Sequence, residues 1–327
     1  MIQFTWRMTR AQNFTAAAAI AIVAIVAAIT GPHAGQDSTL RLWLGVIVVV
    51  VPGLVGMFWG APLVARELED GTFRLAWTQS VTRVRWLIVS LFVTGLASVA
   101  VAGLVSLIVT WWASPLDRAG MNQFGSFDER GIVPLGYAAF AFTLGVVAGA
   151  LVRRTIPAMM LTLAGFVAGR LAVKIWLRPV LITPLTRSLA LDPATTGYGS
   201  SGYLPIVPPA TLQPDPPRIP NAWITSIGVV SNHGGTTLTA TDLARFCPGI
   251  NRGRGSRGGG VSHGPAPQSV VNRLQDCVAR VGTRFHELVS YQPASRYWPL
   301  QWRELAIFLA ASVVLAAACI WRVRRIG

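Results

Sequence analysis

Residues 65–87 read ARELEDGTFRLAWTQSVTRVRWL, with three acids, Glu67, Glu69 and Asp70, crowded ahead of Gly71 and Thr72. Carboxylates at such a position suit the positive end of a helix. Beyond them Phe73, Trp77, Val81 and Val84 fall on one side of a helix, and Arg74, Thr78, Thr82 and Arg85 on another. An amphipathic helix of this kind lies at a membrane surface, where it can be a plain interfacial anchor. The acids, however, gain nothing from an anionic leaflet. They suit a basic or helix-N-terminal surface on a protein, and the block reads as a docking element.

Other reactive residue types carry less. Arg170 and Lys174 stand four apart on one face near the end of an apolar run. They either snorkel to the interface, the plainer reading, or line a path for an anionic substrate. Cys247 and Cys277 lie in a polar region, where an oxidising compartment would permit a disulfide and two buried thiols are the alternative. Cys319 lies in an apolar run and reads as a small apolar residue. GRGSRG, Gly253–Gly258, matches a dinucleotide-binding pattern but follows no hydrophobic strand, so it reads as a flexible Arg/Gly loop. His233, His263 and His286 fit no zinc spacing.

No catalytic set emerges. The sequence has no H-E-x-x-H, no buried carboxylates expected within any span, and no Walker A motif: the sole lysine, Lys174, is followed by Ile175. The chain is therefore not itself a P-loop ATPase. It reads as a non-enzyme with no cofactor or metal of its own.

The elements that must position these residues are membrane spans. Of 327 residues, 52% are hydrophobic and 13% charged, against about a quarter charged in soluble domains. Six runs are long and apolar enough to span: Phe14–Thr30, Leu42–Ala65, Trp86–Ala113, Val133–Val152, Ile156–Leu177 and Leu305–Trp321. The first has no convincing cleavage site after it and reads as a retained helix. Arg7, Arg10, Arg66, Arg74, Arg83, Arg85, Arg153, Arg154, Arg322, Arg324 and Arg325 fall in one set of short segments. Only Arg41, Arg118 and Arg130 fall in the other. The positive-inside rule then places both termini, 66–85 and 153–154 in the cytoplasm. The net charge of +15 owes much to twelve arginines against five acids in residues 178–303, so it does not point to nucleic acid.

These observations predict an all-α polytopic membrane protein with six transmembrane helices and an extracytoplasmic α+β insert between helices five and six. Residues 1–177 would hold the first five spans, 178–303 the cap, and 304–327 the last span with a cytoplasmic tail. Within the cap, seven prolines between Leu204 and Pro220 suggest a stiff strap. AWITSIGVV followed by NHGG and TTLT reads as a hairpin. Val270, Val271, Leu274, Val278, Val281, Phe285 and Leu288 recur at helical spacing. In the spans, the pairs Gly56/Gly60, Gly145/Gly149 and Gly165/Gly169 predict close helix packing, and Pro52 predicts a kink.

The charged block resembles the first cytoplasmic loop of ABC-2 type transporter permeases, especially an actinobacterial group with the pattern E-x-E-x-G-T-x-R-L-A-W-T-Q-S-V-T-R-x-R-W. A second stretch, YQPASRYWPLQWRE at Tyr291–Glu304, resembles the run into that family's last helix. With the order of spans, the resemblance covers essentially the whole chain. It implies a permease half-transporter in the plasma membrane, paired with a second permease and with a separate ATPase that binds ATP and magnesium. It also implies that the loop around Glu67, Glu69, Asp70, Gly71, Thr72, Arg74 and Trp77 couples to that ATPase, and that residues 1–12 form an amphipathic helix on the inner leaflet. The Arg/Gly stretch at 252–260 has no place in the family pattern. The competing reading is a non-transporting scaffold or sensor whose cap binds a ligand or partner.

Overall fold

The computed structural model describes residues 20–21, 23–30, 38–69, 83–118, 123–191, 206–207, 211–212, 219–248 and 268–325. The expected inner-leaflet helix at 1–12, the loop from Asp70 to Thr82, most of the proline strap and the Arg/Gly stretch lie outside them.

The chain divides into two compact units, one of Met1–Ile182 with Ser295–Gly327 and one of Thr183–Ala294. The first is helical. Helix α1 (Ser38–Val55) passes through a π turn at Gly56–Gly60 into α2 (Ala61–Glu69). Then follow α3 (Arg83–Arg118), a 3-10 turn at Gln123–Glu129, and α4 (Val133–Val152). Helix α5 (Thr155–Ala172) runs through a second π turn, Val173–Leu177, into the short α6 (Arg178–Leu181). Among the described residues, five stretches are long and apolar enough to cross a membrane: Gly45–Arg66, Val84–Ser114, Gln123–Val152, Thr155–Leu181 and Ala294–Arg324. The expected first span is helical where described, over 20–21 and 23–30. There Val23 packs with Val48, Val105 and Val109, and the Trp112 indole donates to Thr30 Oγ1 at 3.1 Å.

Helix α4 is the hub, and its small residues explain why. A Cβ on Gly56 would lie 2.5 Å from the Ala141 carbonyl carbon, and one on Gly149 would collide with the Ala61 carbonyl. Backbones can approach that closely only where side chains are missing, which is how helices gain van der Waals contact inside a bilayer. The π turn that follows Pro52 by one helical turn carries Gly56 and Gly60 against Gly145. Helix α4 ends at Arg153, which adopts a left-handed φ of 56°, and extended Arg154 leads straight into α5. Helix α9 (Tyr297–Arg325) completes this unit.

The second unit is a three-stranded antiparallel sheet in the order β1 (Leu185–Ala190), β5 (Phe285–Gln292), β4 (Trp223–Ser231), with α7 (Ala240–Phe246) and α8 (Gln268–Gly282). Two short strands, β2 (Ile206–Val207) and β3 (Thr211–Leu212), pair separately. Cys247 and Cys277 are bridged, with their Cα atoms 5.2 Å apart, inside a core of Val229, Leu243, Val278, Val281 and Phe285.

Two sequence expectations change here. AWITSIGVV is a strand, but its main partner is β5, and the segment after the Asn232–Gly235 turn returns only an isolated bridge, Val230 to Thr237. The amphipathic helix stops at Gly282, and Phe285 and Leu288 belong to β5. Phe285, Glu287 and Val289 alternate inward there. Phe, Val and Tyr on this segment favour a pleated strand once Gly282 and Thr283 have ended the helix.

Candidate functional site

Helix α5 would let residues 170, 174 and 178 drift around its surface by roughly 80° over eight residues if it were ideal. The π turn at Val173–Leu177 widens the spiral just there, and it turns Arg178 back toward the face that carries Arg170 and Lys174. All three cations meet one carboxylate. Asp128, in the 3-10 turn before α4, receives Lys174 Nζ at 2.9 Å and Arg170 at 3.2 Å on Oδ2, and Arg178 on Oδ1.

A second acid comes from α9. Glu304 accepts from Arg178 through both oxygens, Nε to Oε2 at 2.9 Å and a terminal nitrogen to Oε1 at 2.8 Å. Tyr137 of α4 places its hydroxyl 2.8 Å from Glu304 Oε1 and 3.2 Å from Asp128 Oδ1. The Arg178 guanidinium also lies over the Phe127 ring, 4.5 Å from its centre. Arg178, Asp128 and Glu304 side chains are 8%, 9% and 1% exposed, whereas Lys174 is 49% exposed. Of the three cations on Asp128, Lys174 is the most exposed.

Beside this cluster Gln301 of α9 is fully buried. Its Oε1 accepts from the Ile132 and Val133 N–H groups at 3.0 Å each, closing the start of α4. Its amide nitrogen donates to the Phe127 and Arg130 carbonyls at 3.0 and 3.2 Å. One side chain thus joins α9 to the turn and to the helix that follows.

The absence of buried carboxylates expected from the sequence is corrected by this geometry. Glu304 lies inside α9 and Asp128 inside a membrane-crossing stretch, because helices continue past the charged residues that bound an apolar run. Arg170 and Lys174 are brought together on Asp128. The sequence pattern alone does not mark Asp128, Tyr137, Arg178, Gln301 or Glu304, although Gln301 and Glu304 stand in the YQPASRYWPLQWRE stretch. No cluster of three metal-ligating side chains occurs among the described residues.

The other expected site is only partly described. Asp70, Gly71, Thr72, Arg74 and Trp77 lie outside the described residues. Glu67 stands in α2, and Glu69 ends that helix. The Glu69 Oε2 accepts from the Thr155 N–H at 3.0 Å and from the Thr155 hydroxyl at 2.7 Å. These bonds hold the Glu69 carboxyl below its ordinary value, with Arg154 adding to the effect. The acid sits at the N-terminus of α5, where exposed N–H groups and the helix dipole favour negative charge.

No curated protein and no solved structure matched the chain. The family model for ABC-2 membrane transporter related proteins matches residues 15–178. That stretch runs from the first described helix to the start of α6, and it includes Arg170, Lys174, Arg178, Asp128 and Tyr137. The chain belongs to the ABC-2 membrane transporter related family, as the helical frame and its permease-like loop had suggested.

Proposed function

We propose that this chain is the membrane-spanning permease subunit of an ATP-driven exporter in the plasma membrane. A second permease completes the pathway, and a separate cytoplasmic ATPase binds ATP and magnesium. Both termini and the 66–85 segment face the cytoplasm. The cap, the unit Thr183–Ala294, lies outside, where the Cys247–Cys277 bridge is stable. Arg170 and Lys174 flank the substrate path from the cap end, anchored through Asp128.

The observation that carries the reading is the link from Glu69 to Thr155. The loop bearing Glu67, Asp70, Gly71, Thr72, Arg74 and Trp77 receives the ATPase. Its upstream end is hydrogen-bonded to the start of α5. A displacement of the loop therefore reaches the continuous helical stretch Thr155–Leu181, which carries all three cations of the Asp128 cluster.

Co-purification with the ATPase tests this. Glu67→Ala with Asp70→Ala should insert and assemble as usual yet lose ATPase binding by about 2–5 kcal/mol, the usual effect of truncating paired interface charges. Normal binding together with normal substrate-stimulated hydrolysis would leave the block as a surface anchor only.

A further inference from the structure

Helices α3 and α9 leave a groove between them, floored by α4. It is a cavity of about 380 Å³, lined by Ile88, Phe92, Gly95, Val99, Ala316 and Ile320 among others, within the usual size range of ligand pockets. Gly95 makes the depression: a Cβ there would come 3.2 Å from the Phe142 ring below it. Thr143 contributes the one hydroxyl of the lining, and that hydroxyl is turned back onto the Ala139 carbonyl at 2.8 Å. The groove therefore offers hydrocarbon and no polar partner along its length. From Ile88 to Val99 it extends roughly 16 Å at 1.5 Å per residue, about one leaflet of a 30 Å hydrocarbon core.

One end is cationic. Arg85 precedes Ile88 by one turn of α3, on the heptad that continues through Phe92 and Val99. Arg324 follows Ile320 by one turn of α9, and both arginines are exposed. The start of α3 and the end of α9 enter one hydrophobic core, in which Leu87 and Cys319 are buried and against which Trp86, Ile320 and Val323 pack. The two arginines thus stand at the same mouth. We propose that this groove is a binding site for an anionic phospholipid, its acyl chain lying along Phe92 and Gly95 and its phosphate held between Arg85 and Arg324. Under the topology above, that mouth opens at the inner leaflet, where anionic lipids carry the surface charge.

The full chain, purified in detergent and incubated with equal amounts of phosphatidylglycerol and phosphatidylcholine, is examined by native mass spectrometry. The wild type should retain phosphatidylglycerol in clear preference. Each arginine near an anionic headgroup contributes about fivefold, so Arg85→Gln with Arg324→Gln should lower the preference by about twenty-five-fold. Ala316→Phe, which fills the groove, should lower retention of both lipids. The wild-type preference should also fall as salt rises from about 0.05 to about 0.5 M, a check that does not depend on any variant folding. Equal retention of the two lipids by the wild type, or a preference that survives the double variant or high salt, overturns the proposal. So does the absence of bound lipid together with a Phe92→Cys cross-link between two chains, which would make the groove a contact between copies.

Discussion

At the Asp128 end of α5, Asp128, Arg170, Arg178, Glu304 and Tyr137 are packed against one another with little exposure, Lys174 joins at an exposed edge, and Gln301 stitches the neighbouring turn to α9. At the Glu69 end of the same helix, one exposed carboxylate holds the junction with α2. The same polar chemistry has different mechanical value in the two places. Buried groups interact in a low dielectric and are heavily penalised when a partner leaves, so they resist displacement. An exposed carboxylate exchanges its bonds for water at little cost. The first end is suited to be a fulcrum and the second a compliant joint, which is the order required if force arrives at the loop after α2.

The sharpest way to break this contrast is to remove Arg178. Among the described residues, Arg178→Ala would leave Glu304 with no cation and Asp128 with its two outer ones. Breaking a buried pair from one side costs about 3–5 kcal/mol. Thermal unfolding in detergent should show it as a large fall in melting temperature, and Arg178→Met with Glu304→Leu should recover much of the loss. A single variant that melts like the wild type would show that this end is not held by its ions. Gln301→Leu comes next. It strands the Ile132 and Val133 N–H groups and two carbonyls, each buried orphan costing about 1–3 kcal/mol. Hydrogen exchange at Ile132 and Val133 should accelerate while the middle of α4 stays protected.

The two ends were also unequally legible. The glycine pairs were readable because packing inside a bilayer leaves a pattern of small residues four apart, and Gly145 does meet Gly56 and Gly60 while Gly149 meets Ala61 and Ala65. Arg170 and Lys174 were readable as a pair because both lie within an apolar run. Arg178 and Glu304 were not, because reading spans by hydropathy stops at the first charge. Those two residues lie one position beyond Leu177 and one before Leu305, where the expected spans ended and began. The π turn that aligns Arg178 leaves no mark in an apolar sequence. In the second unit, β5 was hidden because Phe285 and Leu288 continue the helical spacing of α8 by chance, and only the alternation of Phe285, Glu287 and Val289 betrays the strand.

Lys174 sharpens the comparison within the cluster itself. It shares Asp128 with two arginines and its side chain is half exposed, so its ion pair behaves as a surface one. Lys174→Ala should cost only about 0.2–1 kcal/mol, with an unfolding profile close to the wild type. A loss as large as that of Arg178→Ala would mean that the cluster acts as one unit in which no member is peripheral.

The smallest effect is expected at Glu69. Its carboxyl titrates below the ordinary 4.5 because Thr155 donates to the charged form. A carboxyl depressed by folding contributes stability that is present above its unfolded value and lost as pH falls through the folded one. The bonds to Thr155 should therefore be intact near neutrality and weaken only below about pH 4.5. Glu69→Gln keeps an acceptor oxygen and removes the charge, so its global unfolding near pH 7 should match the wild type. The difference should appear locally, as faster hydrogen exchange of the Thr155 amide after allowance for intrinsic rates. That difference should shrink as the wild-type carboxyl is protonated in acid. If the Thr155 amide is equally protected in both proteins at neutral pH, the joint does not depend on the charge of Glu69, and the compliant end of the comparison must be redrawn.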